Sequence, residues 1–123
     1  MDPRMRTGRI GEQRARAYLV SKGMRLIGEN WRCRAGEIDL IAEDGNVLVF
    51  VEVRTRTGDS GAYGTPLESV NTRKQRQIRK LAELYLKMNG LSGREVRFDV
   101  VSVRLAPSAG GDTADIEHVA GAF

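Results

Sequence analysis

A chain of 123 residues fits a single domain, 1–123, and is long enough to bury a core without covalent staples. It is 41% hydrophobic and 29% charged, with net charge +4. No apolar run approaches the roughly 20 residues of a membrane span, and the single cysteine, Cys33, excludes an internal disulfide and any CxxC pair for zinc or thiol exchange.

The first residues, "MDPRMRTGRIGEQRARAYL", contain no apolar stretch of the secretory kind, so a reducing cytoplasm is the expected location. Residues 8–22 read as a helix. Ile10, Ala17 and Tyr18 share one side, Ala15 and Leu19 extend the stripe, Thr7 caps the start and Lys22-Gly23 end it. Residues 24–33 read as a strand with a bulge at Gly28. "EIDLIAE" and "VLVFVEVR" are the second and third strands, around a turn. A glycine-rich loop, 55–69, follows. It lacks the spacing of a nucleotide-binding loop and reads equally as a lid touching backbone phosphate, with Tyr63 available to stack on a base, or as a plain mobile connection. A second helix covers 70–89, carrying Ile78, Leu81, Ala82 and Tyr85 on one face, with Gly90 at its end. Residues 95–105 form a fourth strand, 106–115 a flexible connection, and "IEHVAGA" a short edge strand. The fold class is α/β, a central mixed sheet flanked by helices in the order αβββαβ(β). The third and fourth strands are parallel by the crossover rule.

Charge is unevenly spread. Residues 1–35 hold nine Lys or Arg against three acids, and "TRKQRQIRK", 72–80, holds five basic residues and no acid. Between them, 36–52 holds five acids (Glu37, Asp39, Glu43, Asp44, Glu52) and no base. Either basic run alone is a solvated helix face. Two basic flanks around an acidic centre suit a polyanion held over a metal ion.

The hairpin converts this pattern into geometry. A type I′ turn at Asp44-Gly45 sets Glu43 opposite Asn46, Asp39 opposite Phe50 and Glu37 opposite Glu52. Glu37, Asp39, Glu52 and Arg54 then share one face, while Ile38, Leu40, Val49, Val51 and Val53 pack the other. Asp39 and Glu52 become diagonal neighbours, close enough to share an ion. Their hard oxygens suit Mg²⁺ or Mn²⁺, and the Val53 carbonyl adds another. The competing reading is a solvated face whose acids pair with Arg54, Arg56 or a helix arginine.

These residues resemble the PD-(D/E)xK nuclease superfamily, in which an Asp ends one strand and a (D/E)-x-K motif lies on the next. More closely, "GRIGEQRARAYLVSKG", "NWRCRAGEIDLIAEDGNVLVFVEVRTR", "KQRQIRKLAELYL", "RFDVVSV" and "IEHVAGAF" resemble the YraN family of small uncharacterised bacterial proteins, similar to archaeal Holliday junction resolvases. The resemblance implies a restriction endonuclease-like fold and a metal-dependent nuclease acting on structured or branched DNA, with a possible homodimer. It implies that Asp39 and Glu52 are metal ligands, that Glu12 is a helix-borne acid reaching the metal, and that Arg54 occupies the place of the lysine. On helical spacing Glu12 lies beside Ala15 and Leu19, at the edge of the apolar stripe; without the resemblance it reads as an exposed first-turn acid favoured by the helix dipole.

Arg54 departs from the motif, since a guanidinium steadies phosphate charge but does not act as a base. Lys74, opening the second helix, is the candidate ammonium from elsewhere. Arg56, Arg73, Lys74 and Arg76 are the candidate nucleic-acid contacts. The alternative to an enzyme is a catalytically weak or inactive nucleic-acid-binding module on the same fold; a protein-interaction scaffold with salt-bridged acids is a third reading. Asp99 is expected to be structural, paired with Arg97 or Arg104. His118, the sole histidine, reads as an ordinary edge-strand side chain, and Trp31 as core.

Overall fold

The computed structural model describes residues 3–57, 65–105 and 114–123. They form α1 (Pro3–Ser21), β1 (Arg25–Cys33), β2 (Gly36–Asp44), β3 (Val47–Thr57), α2 (Thr72–Met88), β4 (Val96–Leu105) and β5 (Ala114–Val119). The strands make one sheet in the order β1-β2-β3-β4-β5, antiparallel except where β3 runs parallel to β4. Helices cover both faces, so the central strand β3 is buried on both sides and reads as a nearly continuous apolar run. Among the described residues no helix is long and apolar enough to cross a membrane.

One core layer, with α1, gathers Ala15, Leu19, Leu40, Val49, Val51, Val53, Val101 and Val103. The other, with α2, gathers Ile38, Ile41, Phe50, Ile78, Leu81, Phe98 and Val100. Alternation along β3 and β4 divides their side chains between the two.

Several boundaries differ from expectation, each for a local reason. The first helix begins at Pro3, a residue suited to a first turn because its missing N–H has no intrahelical partner, so Thr7 lies inside the helix and is not its cap. Its buried stripe is Gly11, Ala15 and Leu19, four residues apart, whereas Ala17 is exposed and Ile10 only partly covered. Gly11 is where α1 rests directly on β3: a Cβ there would fall 1.8 Å from Thr55 Oγ1. Gly11→Ala is therefore expected to cost about 1–3 kcal/mol by overpacking. A denaturation midpoint equal to the parent's would show that the helix does not sit this close.

The hairpin loop is Gly45-Asn46, not Asp44-Gly45, with Asp44 opposite Val47 and Leu40 opposite Val51. Gly45 takes the positive φ (61°), as the first central residue of a II′ turn does. The register thus shifts by two, which preserves which face each side chain occupies. The exceptions are Glu37, which stands with Glu12 and Asn30 rather than with Glu52 as expected, and Ile38. Ile38 packs in the α2 layer while Leu40, two residues on, packs in the α1 layer. The alternation breaks at Asp39, where neither neighbouring strand makes a ladder pair.

The expected bulge in β1 is present, with the register slipping between Leu26 and Gly28. β3 continues to Thr57, so Thr55 and Arg56 lie on a strand paired with β4 rather than in a loop. β5 starts at Ala114, shortening the expected connection; residues 106–113, and 58–64 with Tyr63, lie outside the described residues.

Candidate functional site

Asp39 sits where the sheet opens. Beyond Leu40–Val51 the β2–β3 ladder stops, and the Val53 N–H donates instead to Asp39 Oδ2 at 2.8 Å. Extending the register places Asp39 directly opposite Glu52, where each acid feels the other. A residue's N–H and C=O leave a strand on the same side, so the Val53 carbonyl leaves β3 on its β2 edge as well.

Glu52 is only 5% exposed. Burial, and then the Asp39 charge beside it, push its carboxyl up to about 8. Burial also raises Asp39, against the opposing pull of the Val53 N–H and Glu52. Burial and their mutual repulsion thus oppose the ionisation of both acids. Two cations face it: Arg54 Nη1 and Lys74 Nζ both stand 3.7 Å from Glu52 Oε2. The Lys74 charge is felt by both acids.

Local structure fixes Lys74. Asn71 caps α2 by accepting the Lys74 N–H at 2.8 Å. One turn on, Gln77 Nε2 donates to the Ala35 carbonyl in the β1–β2 turn. Gly36 permits that approach, since a Cβ there would lie 2.6 Å from Gln77 Nε2. The first turn of α2 is thereby pinned above the acids.

Glu12 stands at the edge of α1, one residue after the Gly11 contact. Burial raises its pKa, and the Asp39 and Glu37 charges raise it further. It belongs to a second group with Glu37 and Asn30; Glu37 also pairs with Arg32 Nε at 3.4 Å. Among the described residues no three His, Cys, Asp or Glu side chains converge closely enough to encircle an ion. The acids come as two adjacent pairs, Asp39 with Glu52 and Glu12 with Glu37. The other acids of the acidic centre are neutralised: Glu43 by Arg25 and Arg94, Asp44 by Arg97.

Of the candidate nucleic-acid contacts, Arg73 and Arg76 are exposed on α2, and Arg56 follows Arg54 by two residues on β3. Asn71, Arg73, Lys74 and Gln77 line an open hollow of about 480 Å³ beside the acids.

Glu52 makes stability depend on pH. Its folded pKa lies above the ordinary 4.5, so the folded state holds a proton that the unfolded chain releases. That contribution is complete below about pH 4.5 and is lost as pH rises toward about 8. The thermal midpoint is expected to fall between about pH 5 and 8, and Glu52→Gln to flatten the fall. Superimposable profiles for the two proteins would contradict a buried, proton-holding Glu52.

Away from this site, Asp99 is fully buried and saturated with donors. Arg97 donates to both its oxygens at 2.9 Å, His118 Nε2 lies 2.7 Å from Oδ2, and the Gly121 N–H reaches Oδ1 at 3.0 Å. Burial raises the carboxyl, but these partners outweigh it and hold its pKa below the usual value. Arg104 pairs with Asp115 instead. His118 is not an ordinary edge side chain: it is largely buried, holds Asp99 and stands edge-on to Tyr18 at 5.5 Å.

Sequence comparison agrees along most of the chain. The profile of an uncharacterised protein family, UPF0102, matches residues 11–103. A UPF0102 protein of Moorella thermoacetica is 48% identical over 98% of this chain and 97% of its own length. One of Pelotomaculum thermopropionicum is 46% identical over 99% of this chain and 98% of its own, and one of Mycobacterium tuberculosis 44% identical over 96% and 92%. With both the profile and relatives of matching length in agreement, this chain belongs to the UPF0102 family.

Proposed function

We propose that this protein is a metal-dependent phosphodiesterase of the restriction endonuclease-like fold, acting on structured or branched DNA in the cytoplasm. The observation that carries the reading is the Asp39–Glu52 pair: two adjacent carboxylates in an opened sheet, with burial and mutual repulsion opposing their ionisation. The resemblance to Holliday junction resolvases supports the substrate class.

The donor set suits a hard cation. Mg²⁺ characteristically takes one or two carboxylates and completes its shell with water and substrate phosphate, so a two-acid site with a nearby carbonyl is sufficient. Asp39, Glu52 and the Val53 carbonyl would hold Mg²⁺ or Mn²⁺, with Glu12 assisting. Once bound, the cation supplies Lewis-acid charge for phosphodiester hydrolysis. The chain's own residues do the rest. Arg54 steadies phosphate charge as a guanidinium that stays protonated. Lys74 brings an ammonium to the same Glu52 oxygen from α2, supplying the group that the strand position lacks. Arg56, Arg73 and Arg76 hold the DNA backbone without reading its sequence. Symmetrical cutting of two strands calls for a homodimer.

The second reading, a nucleic-acid-binding module without turnover, is favoured by one feature, Arg54 in the lysine position. The experiment incubates the protein with four-way-branched and linear DNA in Mg²⁺ and in Mn²⁺, beside an Asp39→Ala/Glu52→Ala double variant. Cleavage by the parent alone, stronger on branched DNA, is expected. Salt-dependent binding without cleavage would favour the module. Equal cutting by both proteins would refute the assignment of the acids.

A further inference from the structure

The interruption around Asp39 traces to one residue that the sequence reading passed over. β1 pairs with β2 at Glu29–Leu40 and again at Trp31–Ile38. Asn30 falls between them, opposite Asp39, and makes no ladder pair there. Its φ of 49° lies in the left-handed region, which asparagine enters more readily than other residues bearing a side chain. With its amide nitrogen turned to donate, Asn30 reaches Glu12 Oε1 at 3.1 Å and Glu37 Oε1 at 2.8 Å. One amide thus ties a helix-borne acid to a strand-borne acid, directly across from Asp39.

Glu12 needs that tie. Like charges on Asp39, Glu37 and Glu29 lie around it, and the Asn30 amide reaches it as a hydrogen-bond donor. Beside it lies a cleft of about 230 Å³, bounded by Arg9, Gln13 and Arg16 of α1 and by Glu29. Arg16 is already paired with Glu29 across it. Glu12 and Asn30 line this cleft too, so there is open space beside the Glu12 side chain.

We propose that Asn30 is a positioning residue for the metal site: its amide ties Glu12 to Glu37 across from Asp39, holding this second acidic pair next to the Asp39–Glu52 pair that an arriving divalent cation meets. This rests on the metal-binding reading above. Before any ion is present, the amide keeps the like-charged groups together, and the left-handed backbone opens the β1 side of Asp39.

The test is Mn²⁺ affinity of the metal-free protein, followed by the electron paramagnetic resonance of free Mn²⁺. Four variants are compared with the parent: Asn30→Gly, Glu12→Gln, the two combined, and Asp39→Asn. Glycine keeps the left-handed backbone at no steric cost and removes only the amide. Each of the first two is expected to weaken Mn²⁺ binding by about 10-fold or more, as loss of groups that orient ligands does. Because Asn30 acts through Glu12, the combined variant should bind no more weakly than either alone. The thermal midpoint should stay within a few degrees of the parent's. If Asn30→Gly does not fold, Asn30→Ala deletes the same amide and is read the same way. Parent-like affinity in the glycine variant, or losses that multiply in the combined one, would overturn the proposal while Asp39→Asn still abolished binding. No Mn²⁺ binding by the parent would remove the metal reading and this inference together.

Discussion

Asp39→Asn is expected to reduce DNA cleavage by about 10³-fold or more while leaving low-salt DNA binding within a few-fold of the parent. The substitution keeps an oxygen for the Val53 N–H, so the backbone contact at 2.8 Å has a replacement acceptor. What it removes is one of the two charges proposed to hold a cation. A metal ion at a reacting phosphate stabilises the transition state by several kcal/mol, and about 4 kcal/mol corresponds to about 10³-fold in rate. DNA affinity should survive because the basic residues on α2 and β3 are untouched. A modest gain is expected, since a negative charge beside the phosphate is gone. Cleavage and binding are to be measured on the same branched substrate. An Asp39→Asn protein that cuts like the parent would place the chemistry elsewhere.

Asp99→Ala is expected to produce the largest loss of stability. Asp99 is fully buried and carries bonds from Arg97, His118 and the Gly121 backbone. Removing it leaves the guanidinium with only Asp44 and strands the others away from water. Breaking a buried charge pair from one side costs about 3–5 kcal/mol. For a chain of this size that is a fall of roughly 10–20 °C in thermal midpoint. The C-terminal segment should loosen first. Besides Gly121, it is held by the Ala122 N–H on the Phe98 carbonyl at 2.7 Å and by Phe123 stacked on Phe98. Hydrogen exchange would report that loosening, and a midpoint within a few degrees of the parent would contradict the hub.

The two buried acids thus make opposite predictions. Asp99 is saturated with donors, which hold its pKa below the usual value; its contribution is present above the ordinary carboxylate range and lost as pH falls below it. Glu52 faces another carboxylate and two cations at 3.7 Å, and its pKa is pushed up to about 8. Asp99→Ala should destabilise. Glu52→Gln should stabilise above neutral pH, because a neutral amide removes the repulsion without creating a cavity. That stabilisation would mark Glu52 as retained for something other than folding, in keeping with the proposed cation site.

What the sequence disclosed follows from period and parity. The two-residue register error in the hairpin still kept Asp39 with Glu52, because side chains alternate with a period of two, although Glu37 left that face. Asp39 and Glu52 therefore converge even though the turn is Gly45-Asn46. The second helix was legible from its apolar spacing, and Asn71 with Gly90 marks its ends. The first helix was less so, since its contact surface begins with Gly11, which carries no hydrophobic signal.

Asn30 and His118 were missed for a different reason. A left-handed residue inside a strand leaves no periodic trace, and only asparagine's tolerance for that conformation hinted at it. His118 acquires its role from Asp99, 19 residues away on the neighbouring strand. That pairing depends on how β5 returns to β4, which local spacing does not determine. Ile38 changed layers for the same reason as Asn30: the backbone irregularity at Asp39 is tertiary, and alternation alone would not reveal it.

The central claim is that Asp39 and Glu52 together capture one divalent cation. Isothermal titration of the metal-free protein with Mn²⁺ tests it most directly, on the parent, Asp39→Asn and Glu52→Gln. One ion bound per chain by the parent, with heat lost in both variants, is the predicted result. No binding by the parent at millimolar Mn²⁺, or binding that survives both substitutions, would contradict it.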